Sequence, residues 1–156
     1  MKDKWKLLII NILAPLAVGA LSAWISGGGM EAFSEMNQPP LSPPGWVFPV
    51  VWTLLYTLMG IAMWLVQTSG AEPAKIKKAT TVYVLQLIVN FFWSIIFFGA
   101  EAYLFAFFWL LLLWVLIIVT MVRFYDISQT AGELMLPYFL WVTFAGYLTF
   151  GVYLLN

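Results

Sequence analysis

The chain has 156 residues, of which 63% are hydrophobic, 19% aromatic and only 9% charged, and its formal net charge is zero. A soluble domain carries roughly a quarter charged residues, and a domain of this length cannot hide so much apolar surface in one water-facing fold. The composition therefore excludes an ordinary soluble domain, gives no footing for nucleic acid, and, with neither histidine nor cysteine, removes disulfides, thiolate chemistry and the usual zinc and haem ligands. No metal site and no required cofactor are expected.

In chain order, five stretches approach the ~20 apolar residues needed to cross the hydrocarbon core: 5–25, 46–68, 79–99, 103–124 and 134–155. The first follows Lys2, Lys4 and Lys6 and superficially resembles a signal peptide. Its apolar run continues to Ile25 with no small-residue cleavage site before Gly27, Gly28 and Gly29, so it reads as a retained span. The segment 26–45 is long for a connection between packed helices. Met30, Phe33, Met36 and Leu41 punctuate it, and Pro39, Pro40, Pro43 and Pro44 stiffen it, which fits either an ordered lid over the mouth of a bundle or a rigid spacer. Ser69, Gly70 and Pro73 mark the second break, Gly99 to Glu101 a tight third, and Asp126 to Gly132 the fourth. The expected fold is an all-α membrane protein, a single domain over 1–156 built as a five-helix transmembrane bundle.

With five spans, all seven basic residues (Lys2, Lys4, Lys6, Lys75, Lys77, Lys78 and Arg123) fall on one side. The opposite loops hold Glu31, Glu35 and Glu101 and no lysine or arginine. The positive-inside rule then puts the N-terminus inside and the C-terminus outside. Basic inner loops suit a bacterial cytoplasmic membrane.

No Asp, Glu, Lys or Arg lies well inside a span, so proton relays and ion-coupled pumping lack their usual parts. What remains is polar and aromatic residues at helical spacing: Trp52, Tyr56, Met59 and Met63 in the second span; Gln86, Asn90, Trp93 and Phe97 in the third; Tyr138, Trp141, Ala145 and Leu148 in the fifth. Amides deep in a membrane need partners, so Gln86 and Asn90 should face the bundle interior. If the stripes meet beneath the lid, they wall a pocket for a large, flat, apolar molecule with polar edges. Taken singly, each has another reading: Trp and Tyr form interfacial belts, and Asn serves as interhelical glue. Gly19 with Ala23, and Ala102 with Ala106, are small pairs that permit close helix approach.

Three segments resemble the translocator protein family, also called TspO or tryptophan-rich sensory proteins, which includes the mitochondrial peripheral-type benzodiazepine receptor. The first runs from Pro39, Pro40, Leu41, Ser42, Pro43, Pro44, Gly45 and Trp46 through Trp52 and Tyr56 to Gly60. The second is Gln86, Leu87, Asn90, Trp93, Phe97, Phe98 and Gly99; the third is Leu136, Pro137, Tyr138, Trp141, Phe144 and Ala145. The resemblance implies a five-helix bundle, often a homodimer, in membrane lipid. It also implies a pocket under the first loop for tetrapyrroles such as protoporphyrin IX and haem, or for isoquinoline and benzodiazepine-type ligands. Trp52, Trp141 and Asn90 match the family's pocket positions, so a porphyrin is expected between the two indoles with Asn90 on a polar edge and Gln38, Pro43 and Pro44 closing the lid. Tyr56, Trp93, Tyr138 and Ala145 complete the expected binding set.

The resemblance further suggests light-dependent oxidative breakdown of the porphyrin, with Trp52 and Trp141 as catalytic participants; the alternative is a passive carrier or sensor without catalysis. Three departures bear on this. Leu41 stands where the family usually has tryptophan, and Gln38 where a lysine is common. The C-terminal stretch Thr149, Phe150, Gly151, Val152, Tyr153, Leu154 lacks the tyrosine and arginine of the family's sterol-associated motif, so poor sterol recognition by that route is expected.

Overall fold

The computed structural model describes residues 2–27 and 29–156, without the side chain of Met30. Among these there are helices and no strands: α1 (Lys2–Ser26), α2 (Gly29–Glu35), α3 (Val47–Gln67), α4 (Pro73–Ser94), α5 (Tyr103–Ile127), α6 (Gln129–Leu134) and α7 (Leu136–Leu155), with a π-helical turn, Ile95–Gly99, continuing α4. Five helical segments are long and apolar enough to cross a membrane, as expected, because in lipid the backbone must satisfy its hydrogen bonds within each segment. The chain is an integral, multi-pass membrane protein.

The segments differ from the sequence expectation at their ends. The third extends back to Pro73, so Lys75, Lys77 and Lys78 ride on the first turns of α4 and not in a loop. Pro73 begins the helix where its missing N–H costs nothing, and Glu72 ahead of it is extended (φ −55°, ψ 130°). The fifth segment is two helices. Ser128 caps α6 by accepting from the Ala131 N–H, and the chain re-forms as α7 with Pro137 in its first turn. Loop one contains α2. Gly28 and the Met30 side chain, which the sequence assigned to the turn and the lid, lie outside the described residues.

The helices form a ring. α1 packs on α3 and α4, α4 on α5, α5 on α7, and α6 bridges α3 and α5. α3 meets α7 through side chains, Trp52 edge-on to Tyr138 at 6.1 Å and Phe48 edge-on to Trp141 at 5.8 Å. The tightest backbone approach joins α1 to α3. A Cβ added to Gly60 would lie 2.4 Å from the Asn11 carbonyl oxygen and 2.6 Å from the Ile12 Cα. That carbonyl is the one Pro15, buried inside α1, has no N–H to bond, so the thinnest side of α3 meets the interrupted turn of α1. Beside it the Asn11 amide donates to Gln67 Oε1 at 2.7 Å, and Trp64 Nε1 donates to the Lys4 carbonyl at 2.9 Å.

The buried side chains divide into two groups. A large cluster runs through the bundle from Leu55 and Met59 to Phe124 and Met135. A small one at the other end joins Phe33 of α2 to Phe97, Ala106 and Val152. Outward-facing Trp5, Ile10, Leu13, Phe108 and Leu154 are each more than half exposed, the pattern of a surface solvated by lipid.

Candidate functional site

Between the two clusters lies a cavity of about 600 Å³. Its walls are Leu16 to Ser26 on one face of α1, Phe48, Trp52 and Tyr56 on α3, Asn90 and Trp93 on α4, Phe97 and Phe98 on the π turn, and Trp141, Ala145, Leu148 and Thr149 on α7. Phe33 of α2 closes it from above. The π turn inserts a residue into the helical repeat, and there Trp93 and Phe97 stack at 5.0 Å with an interplanar angle of 14°.

The lid is pinned to the end of α7. Tyr147 donates through its hydroxyl to the Pro40 carbonyl (2.6 Å), the Asn37 N–H donates to Asn156 Oδ1 (3.2 Å), and Asn156 Nδ2 donates back to the Asn37 carbonyl (2.9 Å). Pro39 rests on Gly151, where an added Cβ would lie 2.6 Å from the proline ring. The described part of the 26–45 segment thus forms a lid on the bundle, with α2 held against it by Phe33 and Phe48 at 4.8 Å.

Six of the ten residues expected to bind the ligand line the cavity: Trp52, Tyr56, Asn90, Trp93, Trp141 and Ala145. Tyr138 does not. It is fully buried behind Asn90 and belongs to a directional chain of hydrogen bonds. The Tyr56 hydroxyl donates to Asn90 Oδ1 (2.9 Å), Asn90 Nδ2 donates to the Tyr138 hydroxyl (2.7 Å), and that hydroxyl donates to Gln86 Oε1 (2.7 Å). Gln86 Nε2 ends the chain 3.9 Å from the Met59 sulfur. Asn90 is therefore interhelical glue and cavity wall at once, with one amide hydrogen and one lone pair left over.

Gln38, Pro43 and Pro44 lie in the lid but not on the cavity wall. Gln38 Nε2 donates to the Phe33 carbonyl at the end of α2 (2.7 Å), and the Pro44 carbonyl accepts from Val47 N–H where α3 begins (3.0 Å). Their part is to shape and hold the lid. Leu41, 85% exposed, is not on the cavity wall. Phe33, Phe48, Gly19 and Thr149 line it without having been singled out as ligand contacts. Composition cannot separate a cavity-facing Phe from a lipid-facing one, but Gly19 carried a signal as a small residue on α1. A Cβ added there would lie 2.2 Å from the Tyr56 ring.

Among the described residues, three buried side-chain polar atoms have no hydrogen-bond partner: Tyr83 Oη, Trp93 Nε1 and Trp141 Nε1. Two of the three belong to cavity-lining indoles. A donor left in this state costs about 1–3 kcal/mol, and neither indole N–H has surface open to the cavity.

The sequence model of the TspO/MBR family matches residues 11–155. The chain belongs to the TspO/MBR family. It is 37% identical over 150 residues to the tryptophan-rich protein TspO of Archaeoglobus fulgidus, covering 96% of each chain. It is 36% identical over 124 residues to that of Chlorobaculum tepidum, covering 80% of this chain and 78% of the relative. With the human translocator protein it shares 33% identity over 133 residues, covering 85% of this chain and 79% of the relative.

Proposed function

We propose that this TspO/MBR protein binds a tetrapyrrole such as protoporphyrin IX in the lidded cavity, with the ring against Trp52 and Trp141 and a polar edge toward Asn90. The observation that carries this reading is the aromatic-walled cavity itself, with the rings of Trp52, Trp93 and Trp141 around it and Asn90 as a polar group on its wall. A flat ligand stacks its apolar face on the rings and brings a polar edge to the spare hydrogen and lone pair of the Asn90 amide. The volume of about 600 Å³ falls inside the ~300–1,000 Å³ range of small-molecule sites. With no histidine or cysteine in the chain, metal-free porphyrin, or haem held by its ring face, is favoured over iron ligated in the usual way. Isoquinoline and benzodiazepine-type molecules are flat and edged with acceptors, and suit the same walls.

Titration of the protein with protoporphyrin IX in the dark, followed by tryptophan quenching, tests this. The double variant Trp52→Phe/Trp141→Phe is expected to weaken binding by about tenfold, near 1.4 kcal/mol. Equal affinity in the double variant and in Asn90→Ala would remove the site.

A second reading, light-driven oxidative breakdown of the bound porphyrin by dioxygen, draws on one specific contact. Trp52 stacks on Tyr56 at 5.4 Å and 29°, and Tyr56 is hydrogen-bonded to Asn90, so an oxidised indole has a tyrosine beside it to supply an electron. Illumination of the complex in air should yield an open-chain product, slowed in Trp52→Phe. Full turnover in Trp52→Phe and in Trp141→Phe would leave both indoles as walls only, and a carrier or sensor role in their place.

A further inference from the structure

We propose that the cavity is reached sideways from the bilayer, through a seam between the lid-side halves of α1 and α3, while the lid stays shut. The inference rests on the cavity alone and not on the tetrapyrrole reading, and it restricts the guests to molecules that partition into lipid.

The seam follows from how α1 divides its contacts. Its first half is clamped to α3 by the Gly60 approach to Asn11 and Ile12, by Asn11 with Gln67, and by Trp64 with Lys4. Its second half is held instead by α4 and the π turn: the Ser22 hydroxyl donates to the Phe91 carbonyl at 2.6 Å, and Gly29, just past α1, lies against the Phe98 ring. α1 therefore leans away from α3 toward α4 as it approaches the lid. Gly19, against Tyr56, marks where it parts from α3. From Gly19 to Ser26 the gap runs for about 10 Å at the helical rise per residue.

Among the residues that line the cavity, the exposed ones are Ala20 and Ala23 on α1 and Pro49 and Thr53 on α3; the rest are buried or half-buried. Exposure confined to these two stretches marks where the wall is open. The two alanines keep the opening wide, and among the described residues the side-chain hydrogen bonds joining α1 to α3 are the two at the far end. The lid, by contrast, is fastened to α7 through Tyr147, Asn37 and Asn156. Among the described residues, opening the seam breaks no side-chain hydrogen bond, whereas opening the lid breaks four.

The cysteine-free chain allows a direct test in phospholipid proteoliposomes without any porphyrin. Ala145 is buried on the α7 wall of the cavity, and Ala145→Cys reports who arrives there. Pyrene maleimide, dissolved in the bilayer, should label it about tenfold faster than a charged methanethiosulfonate added to the water. Adding Ala20→Phe and Ala23→Phe, whose new rings have lipid to extend into, should slow pyrene maleimide by about tenfold. Thr53→Phe, which plugs the gap from the α3 side, should do the same. Ala17→Phe, exposed on α1 but off the cavity wall, should leave the rate unchanged. Faster labelling from water, or a pyrene maleimide rate untouched by both plugs, would overturn the seam. Absence of porphyrin binding in the wild type would count against the tetrapyrrole reading and leave this outcome as it stands.

Discussion

Asn90 and Tyr138 carry most of what the interior can do with polarity. Between them they connect α3, α4 and α7 through three hydrogen bonds in a part of the bundle with no charge. Tyr138→Phe removes the hydroxyl at the middle of the chain and strands both Asn90 Nδ2 and Gln86 Oε1. Interhelical hydrogen bonds in membrane proteins average about 0.6 kcal/mol with a maximum near 1.7. Two orphaned partners should put this variant at the upper end, a loss of about 1–2 kcal/mol. Thermal unfolding in detergent measures it, and a midpoint equal to wild type would mean that the network is not stabilising. Because Tyr138 is not on the cavity wall, its loss should reach the ligand only through Asn90. Porphyrin affinity is expected to fall less in Tyr138→Phe than in Asn90→Ala. The stripe that grouped Tyr138 with Trp141 in the sequence was right about the face of α7. It could not resolve depth along the inward direction, which is set by how closely α4 approaches.

At the scale of elements, glycines separate contact from filler. Gly60 sits against the backbone of α1, where neither partner can yield by rotating a side chain. Gly60→Ala should therefore push α1 off α3 and cost about 1–3 kcal/mol as overpacking. Gly99→Ala, whose new Cβ would meet nothing nearer than 3.8 Å, should stay within about 0.5 kcal/mol of wild type. Unfolding midpoints of the pair check the prediction, and equal shifts would mean that α1 is free to slide. The spans themselves were legible because length and apolarity decide them. Their ends were not: Pro73 starts α4 early because three lysines extend into water from a helix as readily as from a loop, and the short helix α6, capped at Ser128, occupies the expected break before α7 through a cap that hydropathy does not register. The π turn at Ile95–Gly99 left no trace in the pattern, since the Trp93 and Phe97 spacing fits an uninterrupted helix equally well. The lid was legible as ordered from its prolines and apolar residues, but its fastening was not. Tyr147, Gly151 and Asn156 lie over a hundred residues further on, and only the closed ring brings them to Pro39 and Asn37. That distance is also why Gln38, Pro43 and Pro44, close to the pocket in sequence, turn out to shape the lid and not the wall.

Across the whole molecule, the ends of the bundle are chemically opposite. The seven basic residues sit at the start of α1, the start of α4 and the end of α5, all exposed. Antiparallel neighbours and the Trp64 bond to Lys4 gather these ends on the side away from the lid. The lid end carries Glu31, Glu35 and Glu101 and no lysine or arginine. A bilayer held at negative potential inside, and a cytoplasmic leaflet rich in anionic lipid, both favour the basic end in the cytoplasm. The lid is then expected on the outer side, with the α1–α3 seam in the outer leaflet. Glu35→Cys and Lys77→Cys, each the sole cysteine of its variant, report the two ends. In intact bacterial cells a charged maleimide should label Glu35→Cys at once and Lys77→Cys only after permeabilisation. The reverse order would put the lid inside and deliver the cavity's guests from the inner leaflet, with the geometry of the seam unchanged.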